Sequence, residues 1–271
     1  MGRKWDVMIW NDLINYPSRH RPLKPRQVGV TMVMDKGLGI NQFTDLMQTA
    51  HDAIDFVKFG FGTSALIPTD IIRKKVSIAE EHSIPVYPGG TLFEVAKHQS
   101  LEKRYFATLR TLNFKWVEIS DGSMSLSLKE REEAIKLAQS YGLKVITEIG
   151  KKEAGSEIDF KLLLETFHQD IHCGAEYVTI EARESGKNVG VCDAEGNIDV
   201  PLVQRIIDTT YPRHLLWEAP LKNQQVEMVK NFGSEINLGN VSSQDVLSVE
   251  TIRRGLRGDT FMLQEVTQIT Y

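Results

Sequence analysis

Tyr177-Val178-Thr179-Ile180-Glu181 decides the fold, because these residues contain a pattern that recurs along the whole chain. Alternate side chains of a strand point to opposite faces, so Val178 and Ile180 share an apolar face while Glu181 lies on the other. A short run rich in β-branched and aromatic residues is typical of a buried strand. The stretch therefore predicts a strand with one apolar face and a charge near its C-terminal end.

Similar runs recur at regular intervals. They lie 22 to 38 residues apart and begin near Gly29, Ile54, Ile84, Lys115, Leu143, Ala175, Arg213 and Glu235. Amphipathic stretches with helical spacing separate them, as at 128–141 and 159–173. Strands that alternate with helices pair in parallel, and eight such units close a barrel, whereas doubly wound sheets usually stop at about five or six strands. The sequence therefore predicts an α/β fold with one (β/α)8 TIM barrel domain over residues 29–263.

The segments that flank the predicted barrel differ from it in composition. Residues 1–28 include a basic run at 19–26 with two prolines, which disfavour helix. We therefore expect an extended N-terminal arm at 1–28 and a C-terminal tail at 264–271.

Composition excludes several classes of protein. The 271 residues are 41% hydrophobic, and their net charge of −4 differs from the strongly basic footprint of a nucleic-acid-binding domain. Cys173 and Cys192 do not make a disulfide scaffold and suit a reducing compartment. No run approaches the roughly 18 apolar residues of a membrane helix. We therefore expect a cytoplasmic protein that binds neither nucleic acid nor membrane.

Charged side chains occur near the C-terminal ends of five of the eight predicted strands: Lys58, Glu118, Glu148, Glu181 and Glu218. Strand ends of this kind meet at one mouth of a barrel. One such charge is most simply solvated at the rim. Five of them favour a polar site, because buried charges must pair, bind a metal or meet a charged ligand.

The loops that follow the strands also point to an anionic ligand. Glycine lies beside lysine, serine or threonine at 35–37, 60–64, 89–91 and 120–123. Glycines let backbone amides approach an anion closely, especially where a helix begins. The loops after the fifth and sixth strands add cations at Lys151, Lys152, Arg183 and Lys187.

These stretches together resemble the phosphosulfolactate synthase family, which includes plant heat-stress relatives. The resemblance spans residues 27–262 and rests on 34–38 (MDKGL), 55–64 (DFVKFGFGTS), 86–94 (VYPGGTLFE), 117–123 (VEISDGS), 148–152 (EIGKK), 181–187 (EARESGK), 218–220 (EAP) and 254–261 (RGLRGDTF). It implies a (β/α)8 barrel and a Mg²⁺-dependent addition of sulfite to phosphoenolpyruvate. The product would be (2R)-2-phospho-3-sulfolactate, which leads to coenzyme M in some organisms and to sulfolactate in others. The family's catalytic lysine corresponds to Lys152.

The chemistry of this reaction suggests roles for the charged residues. Two anions repel each other, so the site needs cations. We expect substrate to be bound by Lys36, Gly89, Gly90, Thr91, Ser120, Arg183 and Asn240. Mg²⁺ prefers oxygen ligands and one or two carboxylates, so Glu148 and Glu181 are the first candidates, followed by Asp35, with Glu118 and Glu218 in reserve. C2 must also be protonated, and we expect Lys152 or its neighbour Lys151 to act as the general acid, with Lys58 as a further candidate.

Two other functions remain open from the sequence. A barrel lyase or aldolase would use Lys58 or Lys152 as a Schiff-base nucleophile. A stress-associated barrel could have lost catalysis, because a fold does not determine a function. The sequence is compatible with a homo-oligomer and does not define one.

Overall fold

Eight parallel strands form the centre of the molecule. The computed structural model describes residues 10, 13–17, 21–151, 159–182 and 184–261. The strands are β1 (Thr31–Asp35), β2 (Phe56–Phe59), β3 (Val86–Pro88), β4 (Trp116–Ile119), β5 (Lys144–Ile149), β6 (Tyr177–Ile180), β7 (Leu215–Glu218) and β8 (Leu238–Ser242). Each begins one to three residues after the start that the sequence predicts.

The strands close into a barrel with one seam. Their order is β3-β2-β1-β8-β7-β6-β5-β4, so every strand except β3 and β4 has two hydrogen-bonded neighbours. β3 and β4 are the ends of this order and share no backbone ladder. The prediction of a (β/α)8 barrel is confirmed.

Helices separate consecutive strands and cover the barrel. They are α1 (Ile40–Ala50), α2 (Thr69–Glu81), α3 (Gly90–His98), α4 (Glu102–Thr111), α5 (Leu128–Ser140), α6 (Phe160–His172), α7 (Val200–Thr209), α8 (Lys222–Phe232) and α9 (Val246–Arg253). Local capping fixes several starts: Ser127 and Glu130 form a capping box at α5, and Asp159 caps α6. None of the described helices is long and apolar enough to cross a membrane.

The barrel interior changes from apolar to charged along its axis. Its lower layer is built around Phe56, whose ring centroid lies 5.0 Å from that of Trp116 and 5.6 Å from that of Tyr177. Side chains two residues apart on a strand share a face. The next interior position is therefore Lys58 above Phe56 and Glu118 above Trp116. The two-residue period thus places the charged side chains directly above this apolar layer of the barrel interior.

The basic part of the arm lies against the opposite, N-terminal end of the barrel. Arg26 donates to the carboxylate of Asp55 at 3.1 Å, and Arg21 pairs with Glu250 of α9 at 3.0 Å. Lys24 Nζ donates to the carbonyls of His51 and Ile54 at 2.9 and 2.6 Å. These contacts hold residues 21–26 beneath the barrel, away from the charged mouth.

Candidate active site

One lysine occupies the centre of the charged layer. Lys58 Nζ lies 2.9 Å from Glu118 Oε1, 3.2 Å from Glu148 Oε2 and 3.4 Å from Glu218 Oε1. All four side chains are at most 5% exposed. They come from β2, β4, β5 and β7. The structure therefore brings together four of the five charged strand ends in direct ion-pair contact.

This cluster carries more negative than positive charge when its groups are ionised. Burial raises the pKa of Glu118 to about 7; the attraction of Lys58 opposes that rise, and the nearby carboxylates of Glu148 and Glu218 add to it. Burial alone would lower the pKa of Lys58, but the three carboxylates outweigh it and raise that pKa well above its usual value. Lys58 is therefore held as a cation, and it faces three carboxylates.

Glu118 also bridges the seam of the barrel. Its Oε2 accepts the backbone N–H of Gly90, the first residue of α3, at 2.6 Å. A Cβ at position 90 would lie 2.4 Å from the Cβ of Ser120 and 3.1 Å from Glu118 Oε2. Gly90 is therefore needed for the close approach of α3 to β4. The Glu118 side chain thus links β4 to α3 at the seam, where β3 and β4 share no backbone hydrogen bonds.

A further buried carboxylate, Glu94, joins the site from α3. Ser120 Oγ lies 2.6 Å from Glu94 Oε1 and 2.7 Å from Glu148 Oε1. Glu94 also accepts the backbone N–H groups of Gly122 and Ser123 at 3.1 and 3.0 Å. A hydroxyl has one hydrogen to donate, so the two carboxylates compete for it. Sequence reasoning assigned no role to Glu94; the signal was a carboxylate one helical turn after Gly90.

A polar cavity of about 380 Å³ opens above Lys58 at the C-terminal mouth. The described residues that line it are mostly charged or hydroxylic, and they are Met34, Lys58, Phe61, Gly90, Thr91, Glu118, Ser123, Glu148, Glu181, Glu184, Ser185, Glu218 and Asn240. The cavity is thus the place where strand-end charges and glycine-bearing loops meet.

Asn240 reaches the cavity through an irregularity in β8. The pairing of β1 with β8 shifts register between Thr31 and Val33, which leaves one extra residue on β8. Asn240 has a φ of 53°, in the left-handed region that asparagine tolerates better than most residues. Its Oδ1 is buried and has no hydrogen-bond partner among the described residues. A strained residue with an unsatisfied polar atom in a cavity is typical of a ligand contact.

Three of the expected site residues make contacts outside the cluster. Asp35 faces α2: its Oδ2 pairs with the buried Lys75 at 2.7 Å, and its Oδ1 accepts the amides of Gly37 and Leu38, each at 2.7 Å. Lys36 pairs with Glu184 at the exposed rim.

Lys151 contacts the loop that follows β4. Its Nζ donates to the carbonyls of Asp121 and Met124 at 2.8 and 2.7 Å. Gly89 adjoins the loop after β2, and Thr91 lines the cavity. Lys152 and Arg183 lie outside the described residues.

The residues of the mouth fit a divalent cation. Glu148 and Glu181 both line the cavity from neighbouring strands, and their side chains are buried. The three carboxylates around Lys58 give the base of the cavity an acidic character that suits a cation. No group of three or more histidine, cysteine, aspartate or glutamate residues in the described part of the chain is arranged to hold a metal ion. Mg²⁺ usually takes one or two protein carboxylates and completes its shell with water and substrate.

Comparisons with known proteins identify the family to which this sequence is similar. A family model described as (2R)-phospho-3-sulfolactate synthase (ComA) matches residues 19–259. Phosphosulfolactate synthase from Methanocaldococcus jannaschii is 44% identical over 239 residues, which cover 87% of this chain and 94% of that protein. The Methanothermobacter thermautotrophicus protein of the same name is 40% identical over 241 residues, which cover 88% and 93%.

More distant matches add the fold and a plant relative. The Arabidopsis thaliana protein HEAT-STRESS-ASSOCIATED 32 is 21% identical over 266 residues, covering 87% of this chain and 89% of that protein. The crystal structure of 3-hexulose-6-phosphate synthase from Salmonella typhimurium superposes with a TM-score of 0.54 at 11% identity, covering 82% of this chain and 97% of that one. At that identity the likeness concerns the barrel alone.

Proposed function

Because this chain belongs to the (2R)-phospho-3-sulfolactate synthase family, a family of enzymes, we propose that it adds sulfite to C3 of phosphoenolpyruvate. The product is (2R)-2-phospho-3-sulfolactate. The observation that carries the proposal is the cavity above Lys58, in which buried carboxylates lie beneath a mouth lined by Thr91, Ser123 and Asn240.

The reaction forms one C–S bond and one C–H bond. The sulfur lone pair of sulfite attacks C3, and the C2–C3 π electrons move toward C2 and the carboxylate. A proton delivered to C2 then completes the addition, and no group leaves. Negative charge therefore grows on the substrate carboxylate in the transition state, and groups that stabilise it there accelerate the step.

Glu148 and Glu181 are the residues that would hold Mg²⁺. When bound, Mg²⁺ supplies positive charge beside the substrate carboxylate. Asp35 is not included, because its carboxylate pairs with Lys75 of α2 and it is not among the residues that line the cavity. Lys58 holds the carboxylates of Glu118, Glu148 and Glu218 in place beneath the cavity. Replacement of Glu148 or Glu181 with glutamine should raise the Mg²⁺ concentration needed for half-maximal activity.

The substrate anions are held by groups at the rim. Thr91 and Asn240 line the cavity and can hydrogen-bond a phosphate or carboxylate, and Lys36 supplies a cation at the end of β1. Arg183 is the further cation that the sequence places after β6. Mutual repulsion of sulfite and phosphoenolpyruvate makes these cations necessary.

Lys152 is our candidate for the acid that protonates C2. Lys152→Ala should lower kcat by roughly 10²–10⁴-fold, the usual contribution of general acid catalysis. Lys151→Ala is the matched control, because the Lys151 ammonium is engaged with the carbonyls of Asp121 and Met124. A normal kcat for Lys152→Ala together with a large loss for Lys151→Ala would assign the proton to Lys151.

The Schiff-base alternative is disfavoured at Lys58. An imine-forming lysine must lose its proton to act as a nucleophile, whereas the surrounding carboxylates raise the pKa of Lys58 well above its usual value. Treatment with borohydride in the presence of phosphoenolpyruvate or pyruvate should leave the mass of the protein unchanged. A mass increase that Lys58→Arg abolishes would favour an aldolase or lyase instead.

A further inference from the structure

Two apolar side chains interrupt the polar wall of the cavity. Among the described residues that line it, Met34 and Phe61 are the only apolar side chains larger than alanine. Met34 is an interior residue of β1 that pairs in register with Lys58 of β2. Phe61 follows β2 and is 40% exposed. The apolar surface thus belongs to one side of the mouth, at β1 and β2.

The backbone holds Phe61 in a strained conformation. Its φ is 54°, which a bulky residue rarely adopts. A Cβ at position 89 would lie 2.8 Å from both the N and the O atoms of Phe61, so Gly89 lets the two backbones pack closely. Thr63 donates through its N–H and Oγ1 to the carbonyl of Gly60 at 3.1 and 2.7 Å, which closes the turn. The backbone that carries the ring is therefore held in place at the mouth.

The order of the strands places this apolar surface across the barrel from the proposed metal ligands. In an eight-stranded barrel β1 faces β5 and β2 faces β6. Glu148 is the penultimate residue of β5 and Glu181 follows β6, whereas Met34 lies in β1 and Phe61 follows β2. A substrate whose carboxylate points toward β5 and β6 therefore directs its far end toward Met34 and Phe61.

We propose that Phe61, supported by Met34, is the residue that determines specificity at C3 of the substrate. This inference rests on the proposed function. In phosphoenolpyruvate the methylene carbon is the one apolar end, and sulfite approaches it perpendicular to the plane of the double bond. The side chains of Phe61 and Met34, lying in the plane of the double bond, contact the methylene hydrogens and limit access of water. They also leave no room for a substituent on C3.

The test compares phosphoenolpyruvate with (Z)-3-methylphosphoenolpyruvate, each with sulfite. A single methyl group in an apolar pocket changes kcat/KM by roughly 10–200-fold. The kcat/KM of wild-type enzyme should be at least about tenfold higher for the unsubstituted substrate than for the methylated one. Phe61→Ala should reduce this ratio of kcat/KM values by about tenfold or more. Alanine keeps the Cβ, so the backbone strain at position 61 is the same in the variant.

Two further variants separate contact from structure. Phe61→Leu should give an intermediate preference, and it remains informative if Phe61→Ala folds poorly. Leu66→Ala is the control, because Leu66 lies in the same loop, is 84% exposed and does not line the cavity; its preference should equal that of wild type. Calorimetric dissociation constants of the two enol phosphates should follow the same order.

The outcomes distinguish this inference from the proposed function. Equal losses on both substrates, with an unchanged ratio, would mean that Phe61 is structural and would overturn the inference while the synthase activity stands. A wild-type protein that does not turn over phosphoenolpyruvate with sulfite would overturn the proposed function, and the inference with it.

Discussion

Replacing Lys58 with methionine should destabilise the barrel strongly, and more so at alkaline pH. At an effective dielectric constant of about 20, two charges 3 Å apart attract by roughly 5 kcal/mol before desolvation is counted. Lys58 makes three such contacts between 2.9 and 3.4 Å. Removing one partner of a buried ion pair typically costs about 3–5 kcal/mol, because the other charges stay buried and unpaired. We expect a loss of that size in the free energy of unfolding at pH 8.

The pH dependence follows from the carboxylates that remain. The raised pKa of Lys58 keeps its ammonium charged at every pH below the ordinary lysine pKa, so between pH 5 and pH 8 its contribution changes only with the ionisation of the carboxylates that it faces. In Lys58→Met, protonation of Glu118, whose pKa is already raised by burial, relieves the repulsion among the remaining carboxylates at acidic pH. The deficit should therefore be small near pH 5 and full near pH 8.

Urea denaturation in EDTA at pH 5 and pH 8 measures the free energy of unfolding, and thermal unfolding under the same conditions measures Tm. For a protein of this size, about 1 kcal/mol corresponds to roughly 2–4 °C in Tm, so a shift on the order of 10 °C is expected at pH 8. Lys115→Met is the matched control, since the Lys115–Glu80 pair is exposed and contributes less than about 1 kcal/mol. A Lys58→Met deficit no larger than that of the control at both pH values would refute the electrostatic role given to Lys58.

Two more perturbations test other contacts. Burial, opposed by Lys58, raises the pKa of Glu118 to about 7, so the wild type loses stability from this group as the pH rises through that value. In EDTA, the Tm of Glu118→Gln relative to that of wild type should therefore be higher at pH 8 than at pH 5. A difference in Tm that does not change with pH would contradict the raised pKa of Glu118. Arg26→Ala should lower the free energy of unfolding by about 3 kcal/mol, because the buried Asp55 carboxylate loses its ion-pair partner, and Arg26→Ala with Asp55→Asn should recover part of the loss in urea denaturation.

The fold could be predicted because its signals are local. Each strand is a short β-rich run and each helix an amphipathic stretch, so Leu128–Ser140 and Phe160–His172 end within one residue of their predicted bounds. The charges inside the barrel could also be predicted from the sequence. Val117 and Ile119 mark the outer face of β4, and the two-residue period then turns Glu118 inward.

The partners of the charged side chains could not be predicted, because they depend on where each side chain lies along the barrel axis and on contacts between residues far apart in the sequence. Met32, Val33 and Met34 are all apolar, so the pattern does not reveal which face of β1 is inside, and Asp35 turns outward to Lys75. Glu94 reaches the site only because α3 begins close against β4 at Gly90.

The most direct test of the central claim is turnover of phosphoenolpyruvate and sulfite by the purified protein. Phosphorus NMR and mass spectrometry would follow the reaction in EDTA and in millimolar Mg²⁺. We expect loss of phosphoenolpyruvate and appearance of a product heavier by one hydrogen sulfite, with its phosphate ester intact, in Mg²⁺ and not in EDTA. Release of inorganic phosphate, an unchanged substrate, or equal turnover without a divalent cation would contradict the account.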